Sequence, residues 1–333
     1  MSPPRKSTSV VELFEEKALV KMCAPMVRYT RLPFRMLVRE YDTDVVFTPM
    51  ILADSFVKSE QCRHHEFTTC LEDTPLLVQF AAKNATDFAD AAELVYGNSD
   101  GVDLNCGCPQ SWACREGIGA CMLRTPEVVA DVLRQTRNRI ADPKFSISVK
   151  IRIFLDIRRT IDLVRQLEAT GVDFITVHGR TMQERGQPVH LDYIKTVVDS
   201  VRIPVVANGD VDSLKKAYHT QEVTGAKGVM SARAMLENPA MYGGYEKTPL
   251  SCVKRWIEIN ENLNTHFTMF HRHLIHMCES HLTKSERRVF NNLTEKDDVL
   301  NYLADKFEDL DISTIERKHS SQLSPTPEGN IQN

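Results

Sequence analysis

From about residue 18 to residue 240, short β-branched apolar runs alternate with longer stretches whose apolar residues recur at helical spacing. That alternation is the pattern of repeated β-α units around a parallel sheet. Strand-length runs fall at residues 19–23, 44–48, 76–80, 101–105, 146–151, 174–177, 204–207 and 228–231. Helical periodicity marks residues 87–95, 126–140, 158–169 and 213–223 between them, with a proline opening the second. Eight strands with eight crossovers predict a closed TIM (β/α)8 barrel rather than an open doubly wound sheet. The first strand also runs into Cys23-Ala24-Pro25-Met26, where a dinucleotide fold would place a Gly-x-Gly-x-x-Gly turn.

After Pro249 the strand-like runs stop, and residues 252–309 carry helical periodicity only. The expected fold is therefore α/β, a TIM barrel with a C-terminal all-helical domain. Its boundaries read as an N-terminal extension over 1–17, a barrel over 18–245, a helical domain over 246–311 and a disordered tail over 312–333. The tail is polar and has little to bury.

Composition narrows this picture only slightly. A chain of 333 residues, 42% of them apolar, can fill one large core and a small appendage. A net charge of -4 implies no whole-molecule attraction to a polyanion, so any nucleic-acid contact must come from charge gathered on one surface. Nine cysteines at irregular spacing, behind a polar start without an apolar leader, read as reduced thiols in an intracellular, cytoplasmic protein. No run approaches the ~18 to 20 apolar residues that a bilayer crossing needs, so no membrane partner is expected. Cys106-x-Cys108 is too tight for a zinc knuckle, and no metal site is expected. Between Cys252 and Asn291 six Lys or Arg face four Glu, together with His266, His271, His273, His276 and His281. The helical region is thus mildly basic.

Candidate chemistry lies just past the strands, because a barrel gathers its reactive groups at their C-terminal ends. There stand Ala24-Pro25-Met26-Val27, Gln79, Asn105-Cys106-Gly107-Cys108-Pro109, Lys150 with Arg152, His178-Gly179-Arg180, Asn208-Gly209-Asp210 and Ala232-Arg233. A single buried Gln or His usually has a structural explanation, since buried polar groups find hydrogen-bond partners. A lysine inside a strand is different, because desolvating an ammonium costs several kcal/mol unless an anion or strong acceptor faces it. Convergence of all these groups on one mouth reads as a ligand site. A flat heterocycle with a phosphate tail fits the set. Asn208 to Asp210 and Ala232-Arg233 occupy the barrel's phosphate region, where Arg233 adds a charge-assisted contact. Lys150 and Gln79 would face the ring, where a cation stabilises a reduced, anionic flavin. That combination favours FMN over a dinucleotide.

Ordered motifs then carry a family resemblance: Cys-Ala-Pro-Met-Val-Arg at 23–28, Val-Gln-Phe at 78–80, Asp-Leu-Asn-Cys-Gly-Cys-Pro at 103–109, Lys-Ile-Arg at 150–152, Thr-Val-His-Gly-Arg-Thr at 176–181, Ala-Asn-Gly-Asp at 207–210 and Ala-Arg at 232–233. The chain resembles the tRNA-dihydrouridine synthases, and around Gln110, Trp112, Glu116 and Gly119-Ala-Cys it looks most like their eukaryotic dihydrouridine synthase 4-like branch. By that resemblance Pro25, Met26, Val27, Gln79, Lys150, His178, Asn208, Gly209, Asp210, Ala232 and Arg233 would hold FMN. Cys108 would be the catalytic acid, with Cys106 at a variable position, and Asn105 would face the target uracil. The helical region would be the tRNA-binding domain, the substrate uridines 20a and 20b of the D-loop, and the reductant NADPH or NADH, in a chain expected to be monomeric. One departure is Ala234, where the family commonly has glycine. It would restrict the turn if that position required a positive φ. The apolar Phe154 and Leu155 are a second, beside a loop expected to be polar.

The implied reaction delivers hydride to C6 of uracil while an acid protonates C5. A thiol, with an ordinary pKa of ~8.5, stays mostly protonated at neutral pH and can donate. Its structural alternative is a small buried hydrophobe. The target base must leave the RNA stack, and Arg28, Arg115, Arg152 and Arg180 are candidates to grip phosphate, or else solvated surface charges. Two other functions share parts of this pattern: a free-pyrimidine or dihydroorotate-type flavin dehydrogenase, and a tRNA-binding protein without catalysis. The helical appendage argues against the first, and Cys108 with Lys150 against the second.

Overall fold

A computed structural model describes residues 9–310. The extreme N-terminal residues and the polar tail expected to be disordered lie outside the described residues. Among the described residues, nine strands follow one another as β1 (Val20–Cys23), β2 (Val45–Phe47), β3 (Ile51–Leu52), β4 (Leu76–Ala81), β5 (Gly101–Cys106), β6 (Ser146–Arg152), β7 (Phe174–His178), β8 (Val205–Asn208) and β9 (Gly228–Ser231). Every pairing is parallel. The order β2-β1-β9-β8-β7-β6-β5-β4 is closed by a β2–β4 pairing, giving the expected eight-stranded barrel. The two-residue β3 is the one strand that the apolar pattern does not predict. It pairs with the upper half of β4 where β2 pairs with the lower half, and Pro49, which has no N–H for the ladder, separates the two.

Apolar side chains fill the lower barrel interior, among them Met22, Phe47, Leu77, Phe174, Val206 and Met230. The helix Val10–Glu16 plugs the lower end. Ser9 caps it by accepting the N–H of Glu12, and Val10 and Phe14 are driven into the interior, with the Phe14 ring 5.3 Å from that of Phe174. A stretch that reads in sequence as an extension thus completes this core. Helices such as Ala85–Val95, Pro126–Arg139 and Ile157–Glu168 bury their apolar faces against the outside of the sheet.

The helices Leu250–Leu263, Phe267–Met277, Lys284–Phe290 and Lys296–Lys306 form the C-terminal region. They share one apolar cluster with the barrel helix Leu32–Arg39: Trp256 and Phe270 pack with Phe34, Leu37 and Val38. The histidines of this region belong largely to that packing. His273 is fully buried between Phe34 and Trp256, ring centroids 4.6 and 4.5 Å away, and bonds the Tyr29 carbonyl. His271 bonds the Phe290 carbonyl, His276 the Tyr29 hydroxyl and His281 the Thr248 carbonyl. Burial pushes the His273 imidazole down to about 3. Burial also lowers His271 and His276, so these three imidazoles serve packing and not charge. The reading of nine reduced thiols also needs correction, since Cys114 and Cys121 form a disulfide. No described helix is long and apolar enough to cross a membrane, and no group of three or more potential metal ligands occurs among the described residues.

Candidate active site at the C-terminal mouth of the barrel

Strand register stacks the polar candidates in tiers. Gln79, Asp103 and Ser148 are neighbours across β4, β5 and β6; one tier higher Asn105 neighbours Lys150; highest, Arg152, His178 and Asn208 lie side by side. A two-residue step along a strand keeps side chains on one face, so each tier sits directly above the last.

Hydrogen bonds join the lowest tier internally and tie it to the tier above. The buried Asp103 carboxylate accepts from Gln79 Nε2 at 2.7 Å and from Ser148 Oγ at 2.7 Å. Gln79 Oε1 in turn accepts from Asn105 Nδ2 at 2.8 Å. Asn105 Oδ1 then accepts the backbone N–H groups of Gly107 and Cys108, at 3.1 and 3.0 Å. Burial pushes the Asp103 carboxyl up to about 6, against the opposing pull of Gln79, Ser148 and the Lys150 charge. In sequence Asp103 appears only as the first residue of the 103–109 motif, with no role assigned, and Ser148 is not singled out. The cost of burying a charge, applied above to Lys150, holds equally for an aspartate two residues before Asn105 in the same strand.

Cys108 stands beyond β5 on the loop these bonds hold, partly exposed, while Cys106 is fully buried among the apolar residues behind the sheet. Burial raises the Cys106 thiol well above its ordinary range. The Cys108 carbonyl also accepts the Ala120 N–H at 2.9 Å, which ties its loop to the segment containing the disulfide. Ala81, Ala113 and Ile118 pack around Cys108.

Lys150 lies near enough to Cys108 for the two to act on each other electrostatically. Burial, with the neighbouring Arg152 charge, lowers the Lys150 ammonium to about 8, while Asp103 and Cys108 act on it in the opposite sense. Among the described residues its ammonium makes no hydrogen bond or ion pair, and neither does the His178 ring. Burial and the cations Lys150, Arg152, Arg180 and Arg233 push His178 down to about 2, so the ring is neutral. Unpartnered polar groups of this kind are what an absent polar ligand would leave behind.

Beside them opens a cavity of about 490 Å³ lined by His178, Asn208, Gly209, Asp210, Ala232 and Arg233 among others. Asn208 donates to the Met230 carbonyl. Gly209 has φ +124, and a Cβ there would come within 2.6 Å of Val189 and 3.1 Å of the His178 ring. Asp210 follows at φ 52, its carboxylate turned to Arg180 at 2.5 Å. The turn therefore presents backbone to the cavity, with Arg233 exposed at its rim and, among the described residues, without an ion pair. Ala234 lies inside the helix Arg233–Glu237 and has no positive φ, so the turn carries no strain from a side chain there. Glu184, Arg185 and Lys216 also line this cavity and are absent from the sequence-based set. Pro25, Met26 and Val27 follow β1 at the adjoining edge, where Ala24 N–H donates to the Ser231 carbonyl at 2.8 Å. The donor set, its neutral His, its cation and its close-approach glycine suit a planar heterocycle bearing a phosphate.

The four arginines expected to grip phosphate divide. Arg28 and Arg115 are exposed. Arg152 is buried instead, donating to the carbonyls of Gly107 at 2.8 Å and Thr181 at 2.9 Å, and Arg180 is buried against Gln187 and Asp210. Both brace the rim through these bonds and also line the cavity, so they are not solvated surface charges. Phe154 is partly covered, with the Arg159 guanidinium 4.4 Å above its ring, whereas Leu155 is 81% exposed.

Comparison with known proteins agrees with this geometry. The sequence profile of the family described as dihydrouridine synthase matches residues 22–309. A Mus musculus protein named tRNA-dihydrouridine(20a/20b) synthase NAD(P)+-like is 53% identical over 303 residues, covering 91% of this chain and 94% of that protein. A Homo sapiens protein of the same name is 51% identical over 297 residues, 89% of this chain and 94% of the relative. The Schizosaccharomyces pombe tRNA-dihydrouridine(20a/20b) synthase NAD(P)+ is 45% identical over 279 residues, covering 84% and 85%.

Proposed function

The chain belongs to the dihydrouridine synthase family, and from that premise we propose that it reduces the 5,6 double bond of uracil at positions 20a and 20b of the tRNA D-loop, using FMN and NADPH or NADH. The observation that carries this reading is the meeting of Cys108, an unpartnered Lys150 and an unpartnered neutral His178 at one rim above a fixed polar tier.

Pro25, Met26, Val27, Gln79, Lys150 and His178 would hold the ring of FMN, and Asn208, Gly209, Asp210, Ala232 and Arg233 its phosphate tail. Bound and reduced, the flavin supplies the hydride that goes to C6. Lys150 would supply positive charge toward the ring, favouring its reduced, anionic form. Cys108 holds the proton destined for C5, and Asn105, whose carbonyl is taken by Gly107 and Cys108, has one amide hydrogen left for the uracil. The helices from Leu250 onward serve as the tRNA-binding part, where Lys284 and Arg288 are exposed cations and Arg287 is paired with Glu279.

The test is reduction of an unmodified tRNA transcript by the purified, FMN-loaded chain with NADPH or NADH, followed by mapping of dihydrouridine. The mark at 20a and 20b is expected. Protein that takes up no FMN, or that leaves both positions unreduced, rejects the reading.

A further inference from the structure

The polar tier beneath the mouth is a chain of hydrogen bonds with fixed ends. At one end the backbone N–H groups of Gly107 and Cys108 can only donate; at the other an ionised carboxylate can only accept. Between them stand two amides, Asn105 and Gln79, each of which could rotate by half a turn and exchange its donor for its acceptor at almost no steric cost. The 2.7 Å bond from Gln79 Nε2 to Asp103 Oδ2 leaves Gln79 Oε1 as the acceptor for Asn105 Nδ2, and Asn105 Oδ1 for the loop. The 2.7 Å bond from Ser148 Oγ engages the other Asp103 oxygen. The four side chains Asp103, Gln79, Asn105 and Ser148 are each at most 8% exposed, so water does not substitute for a lost partner among them.

We propose that Asp103 is a positioning residue: by accepting from Gln79 it fixes the orientation of both the Gln79 and Asn105 amides, and through Asn105 the backbone of the loop that carries Cys108. One carboxylate thereby sets both the hydrogen-bonding face beneath the ligand ring and the place of the proton donor. It reaches neither substrate nor Cys108 directly. This inference rests on the function proposed above only in assigning ring and proton donor; the amide chain itself is a property of the protein alone. Asp103 also places negative charge near Lys150, the one charged group acting on it.

A charge-swap series separates orientation from simple packing. Gln79→Glu sets a second carboxylate against Asp103 and is expected to lower kcat on tRNA at least tenfold and to speed alkylation of Cys108 by iodoacetamide at least threefold. Adding Asp103→Asn turns the acceptor at position 103 into a donor. Its amide can then bond the carboxylate introduced at position 79, whose other oxygen still accepts from Asn105, so the loop is held again. The double variant is expected to recover at least tenfold in kcat and the slow alkylation rate of the wild type, even though a carboxylate at 79 alters FMN affinity. No recovery in a double variant that melts at the wild-type temperature overturns the proposal. Should Gln79→Glu not fold, Asn105→Ala cuts the chain without burying a charge. Faster alkylation of Cys108 with FMN affinity changed less than about twofold is then expected, and an unchanged alkylation rate overturns the proposal. Alkylation is measurable without flavin or tRNA, so failure of the amide chain and failure of the proposed activity are read separately.

Discussion

Gly119 lies against the back of Cys108: at φ +71, a Cβ on residue 119 would fall 2.7 Å from the Cys108 carbonyl oxygen and 3.0 Å from the Cys108 Cβ. Neither obstacle is the end of a flexible side chain, so Gly119→Ala must move the loop that Asn105 holds from the other side. Displacing a reacting group by about 1 Å can cost about 10²-fold in rate. Gly119→Ala is expected to lower kcat at least tenfold while FMN binding, read by flavin absorbance and fluorescence quenching, stays near wild type. An unchanged kcat would remove the role given to this contact.

The two cysteines of the motif should separate cleanly. Cys108→Ala removes a partly exposed thiol at the mouth, and loss of a general acid typically costs about 10² to 10⁴-fold in rate. Cys106→Ala removes a small apolar group from the core, so it should lower the melting temperature and leave kcat within about threefold. The opposite result, with turnover surviving at position 108 and lost at 106, would exchange their assignments.

Much of this site is legible in sequence because a barrel converts strand order into position. A polar residue at the end of each apolar run must face the same mouth, and Gln79, Asn105, Lys150, His178 and Asn208 do. What sequence does not reveal is which polar groups are used up within the protein. Arg152 and Arg180 look like free cations until backbone carbonyls that come close only in the fold are seen to occupy them. The C-terminal histidines look basic until burial makes His273 neutral. Asp103 is hidden for the converse reason. Its partners come from strands 24 and 45 residues away, and nothing local announces them. The strand β3 is missed because two residues give no periodicity.

Stability should depend on a second buried carboxylate, remote from the chemistry. Asp73 is fully buried between Arg35 at 2.7 Å and Arg39 at 3.0 Å. Burial alone would raise it, yet the two guanidinium groups hold it below the ordinary carboxylate range. Removing one partner of a buried pair costs about 3 to 5 kcal/mol, because the remaining charge is stranded. Asp73→Ala is expected to lose about that much in urea unfolding at pH 7. The sign with pH follows from linkage: a depressed carboxyl contributes stability above its unfolded pKa of ~3.9 and loses it as pH falls through the lower folded value. The gap between wild type and variant should therefore narrow below about pH 4 and stay constant above pH 5.

Lys150 offers a pH test of the proposed cofactor site. Its ammonium is lowered to about 8 by burial and by Arg152, so the free protein carries this cation below that pH and loses it above. An anionic ligand that needs the cation should bind with an apparent Kd that rises, by up to about tenfold per pH unit, once pH exceeds 8. FMN titrations from pH 6.5 to 9.5 should show that break. Lys150→Met should bind FMN more weakly, and with no break near 8. A wild-type Kd flat across the range would place Lys150 away from the ligand's charge.

Contact with RNA phosphate should follow exposure and not the number of arginines. Arg28 sits at φ 72 just past β1, exposed at the mouth, and Arg115 is exposed at the end of the helix Ser111–Arg115, which follows the Cys108 loop. An asparagine at 28 removes the charge while tolerating the left-handed backbone, and an alanine suffices at 115. Each substitution is expected to weaken tRNA binding and to lower the slope of log K against log salt by about 1, the mark of one lost phosphate contact. Melting temperature should not move. Arg180→Ala should behave in the reverse way, since its guanidinium joins the Gln187 carbonyl to the Asp210 carboxylate: a lower melting temperature and weaker FMN binding, with the salt slope of tRNA binding intact. If Arg180→Ala changed the slope and Arg28→Asn did not, the buried arginine would be the one that meets RNA, and the rim would have to open to let it.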